Sequence, residues 1–474
     1  MLTPKKRQLV DFMNREARRR DAGVRRNRYY YRDLSTFLRY NIPKGRRVLE
    51  VGCGIGDMLA AVEPAYGVGI DISDEMVRVA RDRHPQLTFK QMDVECLDLG
   101  ETFDFVIISD TMGYLEDVQR ALTQVHEVCT PRTRVIITVH NFVWQPMLVL
   151  AEALRLKMPQ SRLNWLGLHD IAGILRLTDF EVVKKGTRFL FPRFCPVLSW
   201  LCNRFLVFLP GFRQFGIIAY TIAKPVVSKP GDSNEYSVTV VIPARNEKGN
   251  IENAVRRLPV MGKHTEVIFV EGHSTDGTPE EIRRVCAAYR GAMDLKGTVQ
   301  GGKGKADAVR KGFAMATGDI LMILDADLTV APEDLPKFYG ALATGKGEFV
   351  NGTRLVYPLE KEAMRFLNLA GNKFFAVMFS WLLDQNIKDT LCGTKAIMRS
   401  RYEELIANRS YFGDFDPFGD FDLIFGAAKL NLKFLEVPIR YRAREYGSTS
   451  ISRFRHGWLL IRMVCFAMNK IKFV

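Results

Sequence analysis

Histidine and cysteine are scarce and scattered in this chain. Its 474 residues include 7 His and 8 Cys, with no C-x-x-C pair and no cluster of the two residue types. A zinc site needs ligands grouped at short spacings, and a disulfide framework needs many cysteines in a small domain. The sequence therefore predicts neither kind of site, and its cysteine usage fits a reducing cytosol.

Long hydrophobic runs are also missing. The nearest approach, residues 194–209, is interrupted by Arg204 and is shorter than the roughly 18–20 residues that span a bilayer. The N-terminal stretch is charged where a signal peptide would be apolar. We therefore expect a protein that is not exported and whose membrane contact is peripheral. With 47% apolar residues, the chain is long enough for two or three globular domains.

The net charge of +15 is concentrated at the two ends. Residues 1–40 hold 12 Lys/Arg and 4 Asp/Glu, and residues 433–474 hold 9 and 2. We interpret the first run as a basic helical segment whose charges are solvated. The second run alternates with aromatics, which indicates a basic amphipathic helix over 456–474 at a membrane interface. No nucleic-acid motif accompanies either run, so we expect no nucleic-acid partner.

A glycine-rich turn follows the first clear strand signal. The strand signal at residues 47–51, Arg-Val-Leu-Glu-Val, leads into Gly52-Cys-Gly-Ile-Gly56, and a helix signal comes next. Glycines allow a ligand to approach the backbone closely at a helix N-terminus. A second strand signal ends at Asp71, 19 residues after Gly52. At this spacing an acid can bind both ribose hydroxyls of a nucleoside.

Strand and helix signals continue to alternate after Asp71. Strand-like pieces at 87–92, 103–110 and 134–139 predict three further strands, and residues 115–130 have a helical period. This alternation predicts a doubly wound parallel sheet.

The pieces VLEVGCGIGD, GIDIS and FDFVIISDTMGYLED, in this order, resemble the motifs of class I S-adenosylmethionine-dependent methyltransferases over about residues 25–190. The resemblance implies S-adenosylmethionine as the cofactor. It also implies that the cofactor loop is shaped by Glu50, Gly52, Gly54 and Gly56, and that the ribose is bound by Asp71. The adenine would be flanked by Asp93 and Val94, and the methionine end would be lined by Ser109 and Asp110. Candidates for a base on the methyl-acceptor side, each also interpretable as a packing or rim residue, are Tyr114, His140 and His169.

An aromatic, apolar stretch at 189–215 precedes a domain boundary. We interpret this stretch, in order of preference, as core, as a substrate cover or as a membrane-facing patch. The Pro, Gly and Ser content of residues 223–234 indicates a linker. The predicted organisation is a basic segment (1–40), a methyltransferase-like domain (41–225), the linker (226–235), a second α/β domain (236–455) and the C-terminal helix (456–474).

The second domain is organised around Ile320-Leu-Met-Ile-Leu-Asp325-Ala-Asp327. A buried strand that ends in two carboxylates one residue apart suits Mg²⁺ or Mn²⁺, because oxygen ligands can share such a metal with substrate phosphates. Taken alone, the pair also fits a strand end with two solvated acids. The preceding loop, residues 301–305, offers backbone N–H groups and two ammonium groups to phosphates.

Ordered pieces that include VTVVIPARNE, FVEGHSTDGT, LMILDADLTVAPEDLPKF and EVPIRYRAREYGSTS resemble family 2 glycosyltransferases, and within them the polyprenyl-phosphate sugar transferases, over about residues 236–455. The resemblance implies a GT-A fold in which Asp325 and Asp327 bind the metal. It implies a nucleotide-sugar site made of Pro243, Ala244, Arg245, Glu247, Glu271, Ser274, Lys303, Lys305, Asp325 and Ala326. The family commonly has paired aspartates where this chain has Glu271 and Gly272, so the nucleobase stays open.

Two acceptor classes remain open. A polyprenyl phosphate is already ionised and needs only orientation and positive charge. For this role the resemblance implies Arg444, which matches the arginine of the R-x-x-G-x-S-K signature of the polyprenyl-phosphate subfamily; Ser450 replaces the lysine of that signature. A glycan hydroxyl needs a general base, for which Asp422 and Asp420 are candidates within an acidic run. Further candidates on the acceptor side, equally compatible with structural roles, are Arg354, Asp389 and Lys395.

The sequence thus predicts a bifunctional transferase of the α/β class with two doubly wound Rossmann-like domains. The second domain is expected to transfer a sugar, with inversion, from a nucleotide-diphosphate sugar to a polyprenyl phosphate at the cytoplasmic face of the membrane. The first is expected to transfer a methyl group. In one alternative the sugar acceptor is a glycan, which the first domain methylates; in the other the first domain is a binding module without turnover.

Overall fold

A computed structural model describes residues 3–154, 164–226, 235–354, 356, 366–407, 421–441, 446 and 453–473. Side chains are described throughout these ranges except at residues 18, 151, 153, 366–370 and 453–457. The chain divides into two compact units, residues 1–227 with 473–474, and residues 228–472.

The described residues of the first unit form seven strands and eight helices. The strands are β1 (Arg47–Val51), β2 (Tyr66–Asp71), β3 (Thr88–Gln91), β4 (Phe103–Ser109), β5 (Cys129–His140), β6 (Phe180–Arg188) and β7 (Ile218–Pro225). The helices are α1 (Pro4–Arg26), α2 (Arg28–Asn41), α3 (Asp57–Ala61), α4 (Asp74–Arg83), α5 (Val118–Glu127), α6 (Gln145–Ala153), α7 (Leu168–Leu177) and α8 (Pro196–Arg204).

The strand order of this sheet is β3-β2-β1-β4-β5-β7-β6. Strands β1 to β5 pair in parallel, whereas β7 is antiparallel to both β5 and β6. The order reverses between β1 and β4, and a crevice opens at the carboxyl ends of the strands where such a reversal occurs.

The second unit also contains seven strands and eight helices among the residues described. The strands are β8 (Ser237–Ala244), β9 (His264–Glu271), β10 (Asp294–Val299), β11 (Ile320–Ile323), β12 (Phe349–Thr353), β13 (Lys395–Met398) and β14 (Phe434–Pro438). The helices are α9 (Lys248–Arg257), α10 (Thr278–Ala288), α11 (Lys305–Met315), α12 (Leu335–Ala343), α13 (Phe366–Leu383), α14 (Arg399–Ala407), α15 (Phe421–Lys429) and α16 (Arg453–Ala467), which continues into a π-helical turn at Met468–Lys472.

The second sheet has the order β10-β9-β8-β11-β13-β12-β14. Strands β8 to β11 pair in parallel, and β13 is antiparallel to β11 and β12. The order reverses between β8 and β11, so Asp325, which lies two residues beyond the end of β11, stands at the reversal.

Both sheets are covered on two faces, which explains their continuous apolar strands. In β8, Val238, Val240 and Ile242 pack into one core cluster, and Val241 packs into the cluster on the opposite face. A strand buried on both faces needs apolar side chains at consecutive positions rather than at alternate ones. The α/β class and two Rossmann-like domains predicted from the sequence are confirmed.

Two predictions about the first unit need correction. The sheet is mixed rather than parallel, because β7 inserts in the opposite direction between β5 and β6. Residues 223–225 were expected in a linker, but they form the buried end of β7. This strand was not predicted, because its last residues, Ala223-Lys-Pro225, have the composition of a domain boundary.

The two apolar helices of the second unit are largely core elements. Phe375, Phe379 and Leu382 of α13 lie in the same core cluster as Leu460 and Met463 of α16. Leu460 and Met463 of α16 therefore pack in the core, whereas Trp458 and Ile461 of the same helix are exposed, and its position at a membrane interface stays a prediction. Among the described residues, no helix combines the length and apolar content needed to cross a bilayer.

The aromatic packing of α13 makes a stability prediction. Phe379 is fully buried, with its ring stacked on Phe425 at 5.5 Å and tilted against Phe421 at 5.3 Å. We expect Phe379→Ala to lower the free energy of unfolding of the second unit by about 3–5 kcal/mol, because it leaves a cavity. Phe374→Ala is the matched control on the same helix, 57% exposed, and should cost less than about 1 kcal/mol. Urea unfolding of the full chain measures both, and equal losses would contradict the packing described.

Candidate active sites

The first unit contains a cavity of about 530 Å³ at the reversal between β1 and β4. Its walls come from the ends of four strands and from α1, α2 and the residues that follow β5. Sequence-predicted residues that line it are Gly52, Gly54, Asp71, Asp93, Val94, Ser109, Asp110, Tyr114 and His140. His169 lies instead at the exposed start of α7.

The glycine loop after β1 has a backbone conformation that favours glycine. Gly52, Gly54 and Gly56 all have positive φ, between 51° and 81°. A Cβ at Gly52 would lie 2.2 Å from the Oγ1 of Thr111, so a larger residue would collide with the loop after β4. The Gly54 N–H donates to Asp71 Oδ2 at 2.9 Å, which ties the loop to the end of β2.

Glu50 lies behind this loop rather than in the cavity wall. It is buried, and its Oε2 accepts a hydrogen bond from the Leu59 N–H at 2.9 Å. Burial raises the pKa of Glu50 to about 8, although the Leu59 N–H acts in the opposite direction. Glu50 therefore holds the glycine loop to α3 and carries a proton at neutral pH.

Asp71 and Asp93 stand at the ends of neighbouring strands, but their surroundings differ. Burial raises the pKa of Asp71, against the hydrogen bonds that it accepts from the Ser73 and Gly54 N–H groups. Asp93 accepts from the Glu95 N–H at 3.0 Å and is ion-paired with Lys6, which also reaches Glu95 at 2.9 Å. No sequence pattern indicated a role for Lys6, which belongs to α1.

A polar cluster lies at the ends of β4 and β5. The Tyr30 hydroxyl donates to Asp110 Oδ2 at 2.7 Å, and the Tyr30 and His140 rings stack at 5.8 Å. Asp110 Oδ1 is buried, lies 3.5 Å from His140 Nδ1 and accepts no hydrogen bond from the described residues. Ser109 shares a hydrogen bond with Thr138. Burial raises the pKa of Tyr114 to about 12, so its hydroxyl is a donor at neutral pH.

Arg20 is the second residue of α1 that the sequence interpretation missed. Its side chain lines the cavity and forms no hydrogen bond or ion pair with any part of the chain that the structure describes. The pKa of Arg20 is raised, first by the Tyr31 hydroxyl and then, against burial, by Tyr114, Asp110 and Asp71. The basic run at 1–40 is therefore not simply solvated, because Lys6 and Arg20 belong to the cavity.

In the second unit, two loops at the ends of β8 and β9 are joined by hydrogen bonds. The Asn246 N–H donates to Ser274 Oγ at 3.0 Å, and Asn246 Oδ1 accepts from the Thr275 N–H at 2.8 Å. Glu271 Oε1 accepts from the Ser274 N–H, and Glu247 is buried with its Oε2 bound by Asn250. Glu247 and Glu271 therefore shape the loops. Pro243 and Arg245 are not buried, and Ala244 is.

The loop at residues 301–305, predicted to bind phosphates, leads into α11, which begins at Lys305 after Gly304. The Lys303 side chain is exposed, whereas Lys305 Nζ lies 2.6 Å from Asp325 Oδ1. Burial raises the pKa of the Asp325 carboxyl, but Lys305, with the charges of Lys395 and Arg354, lowers it by more. The result is an ionised carboxylate surrounded by cations.

Asp327 lies in the turn after Asp325, separated from it by the buried Ala326. Its Oδ1 accepts from the N–H and hydroxyl of Thr329 at 3.2 and 2.9 Å. Within the described ranges, no three His, Cys, Asp or Glu residues converge as a metal site would require. Two carboxylates fit Mg²⁺ or Mn²⁺ only if substrate phosphates and water supply the other ligands, which is a usual arrangement for Mg²⁺.

Gly393 is a site residue that the sequence interpretation did not single out. A Cβ there would lie 2.0 Å from Asp325 Oδ2 and 2.4 Å from Lys305 Nζ. Only a glycine allows the chain before β13 to pass so close to this ion pair. The Cys-Gly pair at 392–393 was visible in the sequence, but no local pattern links it to Asp325.

Two of the acceptor-side candidates form a structural ion pair. Asp389 is fully buried and binds Arg354 through two hydrogen bonds of 2.7 and 2.8 Å, and Asn372 donates to it at 2.9 Å. Burial raises the pKa of Asp389, but Arg354 lowers it by more. Lys395 is also buried, and its ammonium donates to the Cys392 carbonyl.

Of the two candidate bases and the arginine predicted for the acceptor site, the structure describes only Asp422. Asp422 lies in the first turn of α15, with Oδ2 3.5 Å from Arg310 NH1 on α11. Asp420 and Arg444 lie outside the described residues.

Comparison with known families assigns each unit. The model of a family described as a methyltransferase domain matches residues 24–185, and that of glycosyl transferase family 2 matches residues 239–406. The chain therefore carries a methyltransferase domain followed by a family 2 glycosyltransferase domain, as the sequence motifs predicted.

Among similar proteins is a dolichol-phosphate mannosyltransferase of Saccharomyces cerevisiae, 40% identical over 115 residues, which are 23% of this chain and 42% of that protein. The corresponding protein of Pyrococcus furiosus is 33% identical over 25% of this chain and 33% of its own length. The chain thus spans less than half of either relative. The glycosyltransferase AglJ of Haloferax volcanii is 28% identical over 47% of this chain and 69% of that protein.

Solved structures similar to this chain include methyltransferases. A S-adenosylmethionine-dependent methyltransferase of Thermotoga maritima has 16% identity and a TM-score of 0.36, covering 45% of this chain and 98% of that one. Magnesium protoporphyrin IX methyltransferase of Synechocystis, with bound S-adenosylhomocysteine, has 18% identity and a TM-score of 0.33, covering 47% and 99%.

The buried Glu50 makes a prediction about pH. Its folded pKa of about 8 lies above its ordinary value of 4.5, so the folded state binds more protons between these values, and Glu50 removes stability as pH rises through this window. We expect the melting temperature of the first unit to fall less between pH 6 and pH 9 in Glu50→Gln than in the unaltered protein. Calorimetry of the full chain measures this, with the exposed Glu127→Gln as the control. Parallel pH profiles for all three proteins would contradict the prediction.

Proposed function

We propose that this chain is a bifunctional transferase. Its second domain transfers a sugar, with inversion, from a nucleotide-diphosphate sugar to a polyprenyl phosphate, and its first domain transfers a methyl group from S-adenosylmethionine. The proposed location is peripheral, on the cytoplasmic face of a membrane. The observation that carries the glycosyl proposal is the ion pair of Lys305 with Asp325 at the sheet reversal, with the further charges of Lys395 and Arg354 acting on the same carboxylate.

This arrangement suits a diphosphate leaving group. Lys305 begins α11, so its ammonium and the helix N-terminus lie together where phosphate oxygens are favoured. A divalent metal bound by Asp325 and Asp327 would supply charge neutralisation of the departing diphosphate. Lys305 would then exchange the Asp325 carboxylate for phosphate oxygens, and the joined loops at Asn246 and Ser274 would hold the nucleoside.

A lipid phosphate as acceptor has support from relatives and from chemistry. Two relatives are named dolichol-phosphate mannosyltransferases, and another is an undecaprenyl-phosphate 4-deoxy-4-formamido-L-arabinose transferase. A phosphate acceptor is ionised at neutral pH and needs no general base. This agrees with Asp422 having a cation, Arg310, as its neighbour.

The first experiment follows radiolabel from a panel of UDP- and GDP-sugars into polyprenyl phosphate, extracted into organic solvent in the presence of Mn²⁺. We expect label in the organic phase and a loss of about 10²-fold or more in Asp325→Asn, because a charge that stabilises the leaving group is removed. Asp294→Asn, an exposed acid of the same unit, is the matched control and should be unaffected. No organic-phase label with any sugar would refute the lipid acceptor.

Asp422→Asn separates the two acceptor classes in the same assay. Loss of a general base lowers the rate by roughly 10²–10⁴-fold, whereas a phosphate acceptor should tolerate the change. We expect less than about a tenfold effect. A collapse of activity together with transfer to soluble glycans would favour the glycan alternative.

For the methyltransferase domain, the cavity is lined by an acid and a cation that the described residues satisfy only in part. Asp110 Oδ1 is a buried acceptor without a hydrogen bond from the described residues, and Arg20 is a cation that forms no ion pair with them. An amino-acid moiety carries an ammonium and a carboxylate, which match these two groups. S-adenosylmethionine would supply the methyl group from its sulfonium. We propose that Arg20 binds the carboxylate of its methionine moiety and Asp110 the ammonium.

This assignment predicts a selective loss of affinity. Arg20→Met should weaken binding of S-adenosylhomocysteine by roughly 10–100-fold, since a charge-assisted hydrogen bond is lost. The affinity for methylthioadenosine, which lacks the amino-acid moiety, should change little. Arg19→Met, at the exposed neighbouring position, is the control. Calorimetric titration measures both ligands, and equal losses for the two would show that Arg20 acts on the shape of the cavity instead.

A further inference from the structure

We propose that the methyltransferase domain docks on an anionic lipid bilayer through an apolar surface around its cavity. This surface, the apolar collar, consists of residues 142–154 and 194–215. The inference rests on the proposed function only in placing the protein at a membrane, and it names the surface that makes the contact.

Exposed apolar side chains are concentrated in the apolar collar. More than half of the large hydrophobic side chains that are exposed in the described part of the chain lie there, six in residues 142–154 and eight in residues 194–215. Val197 is 77% exposed, Phe194 70% and Trp200 57%. Soluble proteins rarely expose apolar groups in such clusters unless the cluster contacts a partner or a membrane.

The two segments form one surface. Trp144 Nε1 donates to the Phe215 carbonyl at 2.6 Å, and Asn141 Nδ2 donates to the carbonyls of Gln214 and Gly216, each at 2.8 Å. These bonds fix the end of the second segment against the start of the first. The apolar collar is therefore a built feature of the domain rather than two unrelated loops.

The apolar collar is continuous with the mouth of the cavity. Trp144, Met147 and Leu148 of its first segment line the cavity, together with Pro192 and Arg193 just before its second. The same wall includes His140, next to the Asp110 cluster. A bilayer that contacts the apolar collar therefore meets the cavity opening.

Two observations favour a lipid surface over a folded partner. None of the described side chains of α6 is buried, and Met147 and Val149 are both exposed although positions two apart lie on nearly opposite sides of a helix. A rigid partner covers one face of a helix, whereas lipid chains can surround it. Residues 189–217 also contain three arginines and no acidic residue, and Arg193 and Arg204 are exposed. Cations beside apolar groups suit anionic headgroups.

The test is flotation of the full-length protein with vesicles of phosphatidylcholine alone or with 30% phosphatidylglycerol, without sugar nucleotide or polyprenyl phosphate. We expect binding to the anionic vesicles and a loss of at least about tenfold in the partition coefficient in the double variant Val197→Glu, Trp200→Glu. Leu177→Glu, an exposed apolar residue of the same unit outside the apolar collar, should bind like the unaltered protein. Trp458→Glu, on the exposed side of α16, should do so too.

Titration of each variant with S-adenosylhomocysteine keeps the outcomes distinct, since unchanged affinity shows that the domain is folded and its cofactor site intact. Unchanged vesicle binding in the double variant, or loss through Trp458→Glu instead, would overturn the proposal. The proposal would also be overturned if the unaltered protein did not bind vesicles. If light scattering then showed a dimer that the double variant breaks, the apolar collar would be an interface between two copies of the chain. Because no glycosyl transfer is measured, failure of the proposed function leaves this test intact.

Discussion

The site chemistry in both domains depends on where a parallel sheet can be opened. Helices cover both faces of such a sheet, so backbone and side chains are accessible mainly at the carboxyl ends of strands, where the order of connection reverses. In the first unit this point lies between β1 and β4 and brings Gly52 to Asp110. In the second it lies between β8 and β11 and brings Asp325 to the loop after Ala244. Strand order therefore sets the place of each site, and neighbouring elements such as α1 complete its walls.

The charged groups differ in whether the protein itself satisfies them. Asp389 is buried against Arg354, which donates two side-chain hydrogen bonds to it, and such pairing is how a protein carries charge in its interior for structural reasons. By contrast, Asp110 Oδ1 accepts no hydrogen bond from the described residues and Arg20 forms no ion pair with them, which leaves both groups able to bind a ligand. Asp325 is a third case, because its charge is neutralised by Lys305, and a phosphate could bind Lys305 in place of this carboxylate.

Sequence patterns predicted the residues at strand ends because the signal there is local. A strand signal that ends at Gly52 or at Asp325 predicts both the strand and the site residues at its carboxyl end. Lys6 is separated from Asp93 by 87 positions, so no periodicity connects them and the basic run looked solvated. The amphipathic pattern of α16 correctly indicated an apolar face but not what covers it. The strand β7 was missed because its end resembles a linker, and Gly393 because its neighbour Asp325 is distant in sequence.

The position of α1 has a consequence for how the domain can be excised. The family match begins at residue 24 and ends at residue 185, whereas Lys6 and Arg20 precede it and β7 follows it. A fragment cut at those limits would keep the glycine loop but lose one wall of the cavity. It would also lose the strand that joins β5 to β6, leaving two sheet edges unpaired and prone to association. The smallest piece that retains the cofactor site is therefore considerably longer than the piece that carries the recognisable motifs.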